Sequence, residues 1–363
     1  MRKSIYLLFT IFTVLFTSCG HRQSASSLII DSTTVYTNPI ILKGADPWAT
    51  FKDGKYYYTQ TEYSNITLWA TDDLTQLEEA TKKVVWIPKD PSKAYSLWTP
   101  KMQWIDGKWY IYYCGDDGFM DNRQIYVLEN ESPDPMKGKF VMKGKVVTDA
   151  ANNLAIHASS FEHRGKRYLI WSGWESKRVY QETQCIYIAE MKNPWTLASE
   201  RVMISRPDQV WECQWISTDG SKSGYPVHVN EAPHFFRSKN GDKLLIYYSA
   251  SANWTPFYCL GLLEADADSD PLRPESWKKR SEPVFRQSAE NEVYGPGHIS
   301  LVPSPNGEEW FMLYHVQPTC HDIFSSGFRH IYLQKMDWDA EGMPVLGVPQ
   351  KAGTMLKKPA KVR

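Results

Sequence analysis

Five stretches of the chain repeat one alternation of apolar and polar positions. Each has an apolar strand, a turn that contains glycine, and a second strand rich in aromatic residues, as in FKDGKYYYTQT and WIDGKWYIYYC. This order is typical of a β-hairpin. The turn glycines are Gly54, Gly107, Gly165, Gly241 and Gly307. A third apolar stretch follows each hairpin, as in NITLWATDD, and long helical periodicity is absent. The pattern predicts an all-β protein with five similar units.

Units of this size cannot bury both faces of their own sheets, whereas units stacked around an axis can. We therefore predict a five-bladed β-propeller over residues 37–363. No stretch rich in Pro, Gly or Ser divides residues 37–360 into separate domains. A β-sandwich, or two small β-domains, is the alternative that the hydrophobic pattern leaves open.

The first 36 residues have a different pattern. Two early cations precede an apolar run from Ile5 to Phe16, which is too short for a membrane span and is typical of an export signal. The letters FTSC resemble a bacterial lipobox, so residues 1–18 are predicted to be a lipoprotein-type signal peptide and Cys19 to carry lipid. Residues 19–36 then form a tether. The expected location is the bacterial cell envelope, periplasm-facing or at the outer membrane, with a lipid anchor that does not span the bilayer.

Neither the charge balance nor the cysteine spacing favours a charged partner, a zinc site or a disulfide framework. The 41 Lys and Arg residues balance the 41 Asp and Glu residues, so no overall charge favours nucleic acid or an anionic surface. Aromatic residues make up 14% of the chain, which suits β-strands, cores and sugar stacking alike. The other cysteines are Cys114, Cys185, Cys213, Cys259 and Cys320. They are widely spaced and form no CxxC pair, so we predict mostly buried thiols.

Two carboxylates are candidates for a shared pocket. In a propeller, the innermost strand of each blade begins near the axis, so its first residues face one cavity. The segments compared are ADPW at 45–48, WTPK at 98–101, IHAS at 156–159, NEAP at 230–233 and GPGH at 295–298. Asp46 and Glu231 are thereby predicted to converge from non-adjacent blades.

A pair of carboxyl groups can hydrolyse a glycosidic bond. One protonates the leaving oxygen while the other activates water or attacks the sugar carbon. Blades one and four lie across the axis, which favours the wider separation of about 6.5–9.5 Å and an inverting reaction. Trp98 and Trp174 are candidates to stack on sugar rings, with core packing as the alternative for each.

From about Asn38 to Pro349 the chain resembles glycoside hydrolase family 43, and it is most similar to the exo-acting α-L-arabinofuranosidases. The resemblance rests on NPIILKGADPW, LWTPKMQWIDGKWYIYYCGDDG, YLIWSGWE, VNEAPHFFRSKNGDKLLIYYSAS and EPVFRQSAENEVYGPGHISLVPSPNG. It implies a five-bladed propeller that hydrolyses arabinan-type or xylan-type linkages of plant polysaccharides and releases terminal L-arabinofuranose or xylose. It implies no organic cofactor.

The resemblance also implies roles for individual residues. Asp46 would be the general base that activates water, and Glu231 the general acid. His298 matches a histidine near the bottom of the central channel, which is often linked to calcium or another ion. One imidazole is a poor calcium ligand because this cation prefers oxygen, so a structural histidine is the alternative. Arg329 would donate to a sugar hydroxyl, with a surface or salt-bridged arginine as the alternative.

The chain departs from the family at His157, in AIHASSFE, where a third carboxylate is usual. That carboxylate raises the pKa of the general acid by like-charge repulsion, whereas an imidazolium would lower it. Three hypotheses stay open. His157 replaces the aspartate in an active enzyme, which we favour; it donates the proton itself; or the chain is a non-catalytic carbohydrate-binding propeller of a glycan-utilisation system. Ala232, where the family often has glycine, is a milder departure.

Overall fold

The computed structural model describes residues 33–177, 182–214, 227–321 and 329–361. The predicted signal peptide, Cys19 and most of the predicted tether lie outside these residues. Strand β1 (Val35–Tyr36) pairs with the last strand, β23 (Leu356–Lys357), so the paired strands begin inside the predicted tether. In the described part of the chain, none of the helices has the length and hydropathy of a membrane-spanning segment.

All five predicted hairpins are present, and each predicted third strand extends its hairpin. The first sheet contains β2 (Trp48–Lys52), β3 (Lys55–Thr59), β4 (Ile66–Thr71) and β5 (Thr81–Trp86). The second contains β6 (Tyr95–Ile105), β7 (Lys108–Asp116), β8 (Gln124–Asn130) and β9 (Val141–Lys145). Each strand pairs antiparallel with its neighbour in the chain.

The third sheet has nine strands and contains two of the hairpins. Its first part has β10 (Ala155–His163), β11 (Lys166–Gly173), β12 (Glu182–Asn193), β13 (Thr196–Leu197) and β14 (Val202–Ser205). Its second part has β15 (Val227–Arg237), β16 (Lys243–Ala250), β17 (Cys259–Asp266) and β18 (Lys278–Lys279). The two parts join where β12 pairs parallel to β15. The fourth sheet has β19 (Tyr294–Pro303), β20 (Trp310–Gln317), β21 (His330–Trp338) and β22 (Pro344–Val345).

Local turn chemistry explains why the hairpins could be read from the sequence. Asp53 (φ 50°) and Gly54 (φ 77°) are both left-handed, as the tight turn that matches the twist of two antiparallel strands requires. The helices among the described residues are short 3₁₀ segments: Leu74–Glu79, Pro91–Lys93, Met120–Asn122, Val210–Glu212 and Pro274–Ser276. The predicted all-β class is therefore confirmed.

The first strands of the hairpins, β2, β6, β10, β15 and β19, contact one another in a cycle through side chains. The hydrogen bonds that join successive members are Trp48 Nε1 to Met102 O (2.8 Å), Gln103 Nε2 to Ser160 O (2.8 Å), Ser159 Oγ to Pro233 O (3.3 Å), Leu301 N to His234 Nε2 (3.3 Å) and Ala49 N to Ser300 Oγ (3.1 Å). These five strands, called the inner strands below, lie next to the candidate site.

Aromatic side chains fill the space between neighbouring hairpins. The rings of Phe161 and Phe235 stack with their centroids 3.8 Å apart, for example, between β10 and β15. Among the cysteines, Cys114, Cys185 and Cys259 are buried, Cys213 and Cys320 are partly buried, and no disulfide joins any two of these five. The prediction of mostly buried thiols is therefore confirmed.

Candidate active site

The inner strands share one irregularity at the end where the candidate residues lie. Four of them contain a bulge, and the residue that opens it has a positive φ: Thr99 (51°), His157 (61°), Ala232 (52°) and His298 (53°). Asp46, two residues before β2, has a φ of 57°. A bulge leaves residues outside the strand ladder and redirects their side chains, and bulges are common next to active sites.

The bulges correct the comparison of segments made from the sequence. The segments that correspond in the structure are 45–48, 98–101, 156–159, 231–234 and 297–300. The fourth and fifth segments, predicted at 230–233 and 295–298, were therefore displaced by one and two residues. Ala232, and not Glu231, corresponds to Asp46. Glu231 precedes the bulge and corresponds to Trp98.

Asp46 lies in a set of donors that favours its ionised form. Oδ1 is 3.2 Å from His298 Nδ1 and 3.8 Å from a guanidinium nitrogen of Arg329. Oδ2 accepts a hydrogen bond of 2.6 Å from the Thr61 hydroxyl, which itself accepts one from the backbone N–H of Thr99 (2.9 Å). Burial raises the pKa of Asp46, but His298 and Arg329 outweigh burial and hold that pKa well below its usual value. Asp46 is thus a carboxylate that can accept a proton from water.

His315, in β20, supports Asp46 and was not identified from the sequence. Its Nδ1 lies 3.4 Å from Asp46 Oδ1 and accepts a hydrogen bond of 3.2 Å from the backbone N–H of Asp46. Burial lowers the pKa of His315 to about 3, so the ring is neutral. It therefore fixes the backbone of Asp46 and supplies no charge. The sequence carries no signal for this role, because the contact joins residues far apart in the chain.

Glu231 is buried and is held by Tyr258, a second residue that the sequence did not indicate. The Tyr258 hydroxyl donates to Glu231 Oε1 at 2.7 Å. The Tyr258 ring stacks on His315, with centroids 5.4 Å apart, and a Cβ on Gly297 would lie 2.3 Å from it. The position of Glu231 thus depends on a ring that cannot shift. In the sequence, the only sign of this role was the position of Tyr258 at the start of YCLGLL, the third apolar stretch of the fourth repeat.

His157 lies between the two carboxylates. Its Nδ1 is 3.7 Å from Glu231 Oε2 and accepts a hydrogen bond of 3.2 Å from the backbone N–H of Ala232. Its ring is 5.3 Å from the ring of His298, whose Nδ1 faces Asp46. Burial, then the neighbouring His298, lowers the pKa of His157 well below its usual value. The ring is therefore neutral. The structure brings Glu231 and Asp46 to one site, with two imidazole rings between them.

The other predicted residues are placed as follows. Trp98 is partly exposed, and the guanidinium of Arg123 stacks on its ring at 3.6 Å. Trp174 is only 1% exposed and packs in an apolar cluster behind Trp98, so its predicted stacking on sugar is wrong: a side chain buried in the core cannot contact a sugar ring. Arg329 is buried beside Asp46, which excludes the surface alternative. Tyr63 is half exposed near Asp46 and Arg329, an aromatic candidate that the sequence did not indicate.

The donor atoms beside His298 can be compared with what a calcium ion requires. Asp46, His298 and His315 each offer one donor atom within 4.8 Å of the others. The Nδ1 lone pair of His315 is already occupied by the backbone N–H of Asp46, and the cationic Arg329 lies 3.8 Å from Asp46 Oδ1. Calcium takes six to eight oxygen ligands. The described residues around His298 therefore do not fit calcium.

The chain is similar over most of its length to known proteins. The sequence profile of the glycosyl hydrolases family 43 matches residues 36–344. The chain is 35% identical over 328 residues to an extracellular exo-α-(1→5)-L-arabinofuranosidase of Streptomyces avermitilis, covering 88% of this chain and 64% of that protein. It is 35% identical over 287 residues to an enzyme of the same name from Streptomyces chartreusis, covering 78% of this chain and 82% of that one.

Among solved structures, the chain is similar to an α-L-arabinofuranosidase from Lactobacillus brevis. The TM-score is 0.79 with 30% sequence identity, and the match covers 88% of this chain and 98% of that one. The chain thus spans nearly all of the Lactobacillus protein but less than two thirds of the Streptomyces avermitilis protein.

Proposed function

The chain belongs to glycosyl hydrolase family 43, and on that premise we propose that it is an inverting, exo-acting glycosidase. Its substrates are arabinan, arabinoxylan or related plant polysaccharides, from which it releases terminal L-arabinofuranose, or xylose. The observation that carries the proposal is the pairing of an ionised Asp46 with a Tyr258-bound Glu231, with the His298 ring and the neutral His157 ring between them. The names of the related enzymes support the sugar.

In the proposed reaction, a water molecule on one face of the terminal sugar gives a proton to Asp46 and its oxygen attacks the anomeric carbon. Glu231, on the other face, gives its proton to the leaving oxygen as the glycosidic bond breaks. Thr61 and His298 hold Asp46, and Tyr258 holds Glu231, so each carboxyl group is preorganised. Inversion follows because no covalent bond to the enzyme forms.

Neutral His157 replaces the family carboxylate in this proposal. Its Nδ1 lone pair is occupied by the N–H of Ala232, which anchors the residue next to Glu231, and its burial keeps it uncharged. An uncharged ring places no cation beside the general acid, so the departure is compatible with catalysis. The non-catalytic alternative is not favoured, since a binding protein needs neither an ionised Asp46 nor a fixed Glu231.

We also propose the finer architecture and location predicted from the sequence. The cyclic contacts among the inner strands support five blades around one axis. Export is supported by the extracellular relatives, and a lipid anchor at Cys19 by the FTSC letters. Retention of the full-length protein in the membrane fraction, and its loss in Cys19→Ser, would support the anchor; equal release of both would contradict it.

The activity is tested with p-nitrophenyl α-L-arabinofuranoside, the matching β-xyloside and linear arabino-oligosaccharides. Wild type should release the terminal sugar, and NMR of the first product formed should show the inverted anomer. Asp46→Asn and Glu231→Gln should lose activity while keeping their thermal unfolding midpoint. Asp53→Asn, at an exposed hairpin turn, is the matched control. An inert wild type that still binds the oligosaccharides would support the binding-protein alternative.

A further inference from the structure

Lys101 is a buried cation in the layer of side chains beneath the candidate site. It is the fourth residue of the segment 98–101. The fourth residues of the other corresponding segments are Trp48, Ser159, His234 and Ser300. Its side chain is 1% exposed. Within the described residues, no carboxylate lies within 4 Å of its ammonium group. An unpaired buried charge is costly and requires specific compensation.

The compensation comes from two backbone carbonyls and one aromatic face. Lys101 Nζ donates to the carbonyl oxygens of His157 and Pro233, both at 3.1 Å, and lies 5.1 Å from the centre of the Trp48 ring. Both carbonyls belong to bulge residues of β10 and β15. The ammonium group therefore ties β6 to the two strands that carry His157 and Glu231.

We propose that Lys101 is the resident cation of the site, a positioning residue that does the work of a metal ion beneath the catalytic carboxylates. Oxygen atoms of bulge carbonyls are ligands that a hard cation would use, and here they hold an ammonium group. With Arg329 beside Asp46, the site already contains two cationic side chains. A divalent ion near His298 would be repelled by both. The protein is therefore metal-independent.

The charge of Lys101 is itself sensitive to its surroundings. Burial lowers its pKa to about 7, against the opposing effect of Asp46 and the weaker one of Glu231. The titratable groups that face it from the packed strands are Asp46, Glu231, Cys114, His157, His234 and His298. Because burial lowers the pKa of each of the three histidines, Lys101 is the member of the set that brings positive charge to this layer at mildly acidic pH.

The first experiment needs no activity. Wild-type protein, purified without added metal, should contain less than stoichiometric metal by elemental analysis, and EDTA should leave its unfolding midpoint unchanged. One tightly bound metal per chain, or a lower midpoint in EDTA, would overturn the proposal. Only the second experiment depends on the proposed function. Failure of the Lys101 proposal can therefore be distinguished from failure of the proposed function.

The second experiment compares Lys101→Met, Lys101→Arg and the exposed control Lys55→Met. Lys101→Met removes a cation near Asp46, so the pKa of Asp46 should rise. The acid limb of the kcat/KM profile should therefore move up by about half a pH unit. Lys101→Arg keeps the positive charge, so its acid limb should lie at the wild-type pH. A further variant, Lys101→Ala, leaves the carbonyl groups of His157 and Pro233 in place. Added ammonium ion should therefore restore part of its kcat. An unshifted limb in folded Lys101→Met, or rescue by calcium but not ammonium, would contradict the assignment.

Discussion

The hydroxyl of Thr61 offers a direct test of how Asp46 is kept ionised. Thr61 is buried and donates to Asp46 Oδ2 at 2.6 Å. Thr61→Val keeps the shape of the side chain and removes this donor. A hydrogen bond to a charged group contributes about 1.5–3 kcal/mol, and 1.36 kcal/mol corresponds to about one pKa unit. The pKa of Asp46 should therefore rise by about 1–2 units.

The sign of the effect on activity follows from the role of Asp46 as a base. Asp46 must be ionised to act, and its surroundings hold its pKa well below the usual value. A higher pKa means that protonation begins at a higher pH, so activity is lost earlier on acidification. The acid limb of kcat/KM, which reports the free enzyme, should move up while activity on the plateau changes less.

A second effect of Thr61→Val is measured separately. The backbone N–H of Thr99 loses its acceptor at 2.9 Å, which costs about 1–3 kcal/mol of the free energy of unfolding. Thermal denaturation should show a lower midpoint. Thr61→Ser keeps the hydroxyl and should restore both properties, and Thr67→Val, on the outer part of the first sheet, should change neither. If folded Thr61→Val has the wild-type acid limb, the proposed contribution of the Thr61 hydroxyl to the ionisation of Asp46 is refuted.

Three further substitutions test other contacts, two in the site and one in the third sheet. Gly297→Ala places a Cβ 2.3 Å from the Tyr258 ring, so we expect a loss of about 1–3 kcal/mol in unfolding free energy and of kcat; unchanged denaturation curves would refute the close contact. Glu212→Gln breaks the ion pair between the fully buried Glu212 and the partly exposed Lys279 (3.0 Å) and should lower the free energy of unfolding in urea titrations by about 3 kcal/mol; a change below 1 kcal/mol would contradict it. His157→Asp restores the usual carboxylate and should retain or increase activity, with the limb that reports the general acid moved to higher pH; loss of activity as severe as in Glu231→Gln would instead support a direct catalytic role for His157.

The local pattern of the sequence was sufficient to predict the hairpins. A left-handed pair such as Asp53 and Gly54 specifies a tight turn by itself, and alternating apolar positions specify the strands on either side. The strands that follow the third strand of each unit were not predicted, because short edge strands such as β18 and β22 have little hydrophobic pattern. Their pairing depends on the strand already in place beside them.

The chemical groups of the site were also legible in the sequence, since Asp46, Glu231, His157, His298 and Arg329 stand in short recognisable segments. Their alignment was not, because a bulge adds a residue without leaving a local signal. The displacement of two segments by one and two residues could be seen only from backbone angles and strand pairing.

What the sequence determined by itself is therefore the strand class, the turns and the identity of the reactive side chains, all of which depend on neighbouring residues. What only the tertiary structure decided is the surroundings that set their charge: Thr61 and His315 on Asp46, Tyr258 on Glu231, and Lys101 beneath both. These contacts join residues that lie apart in the chain, and those of His315 and Lys101 also join different sheets. Hydrogen bonds and burial act over a few ångströms in space, so distance along the chain carries no record of them.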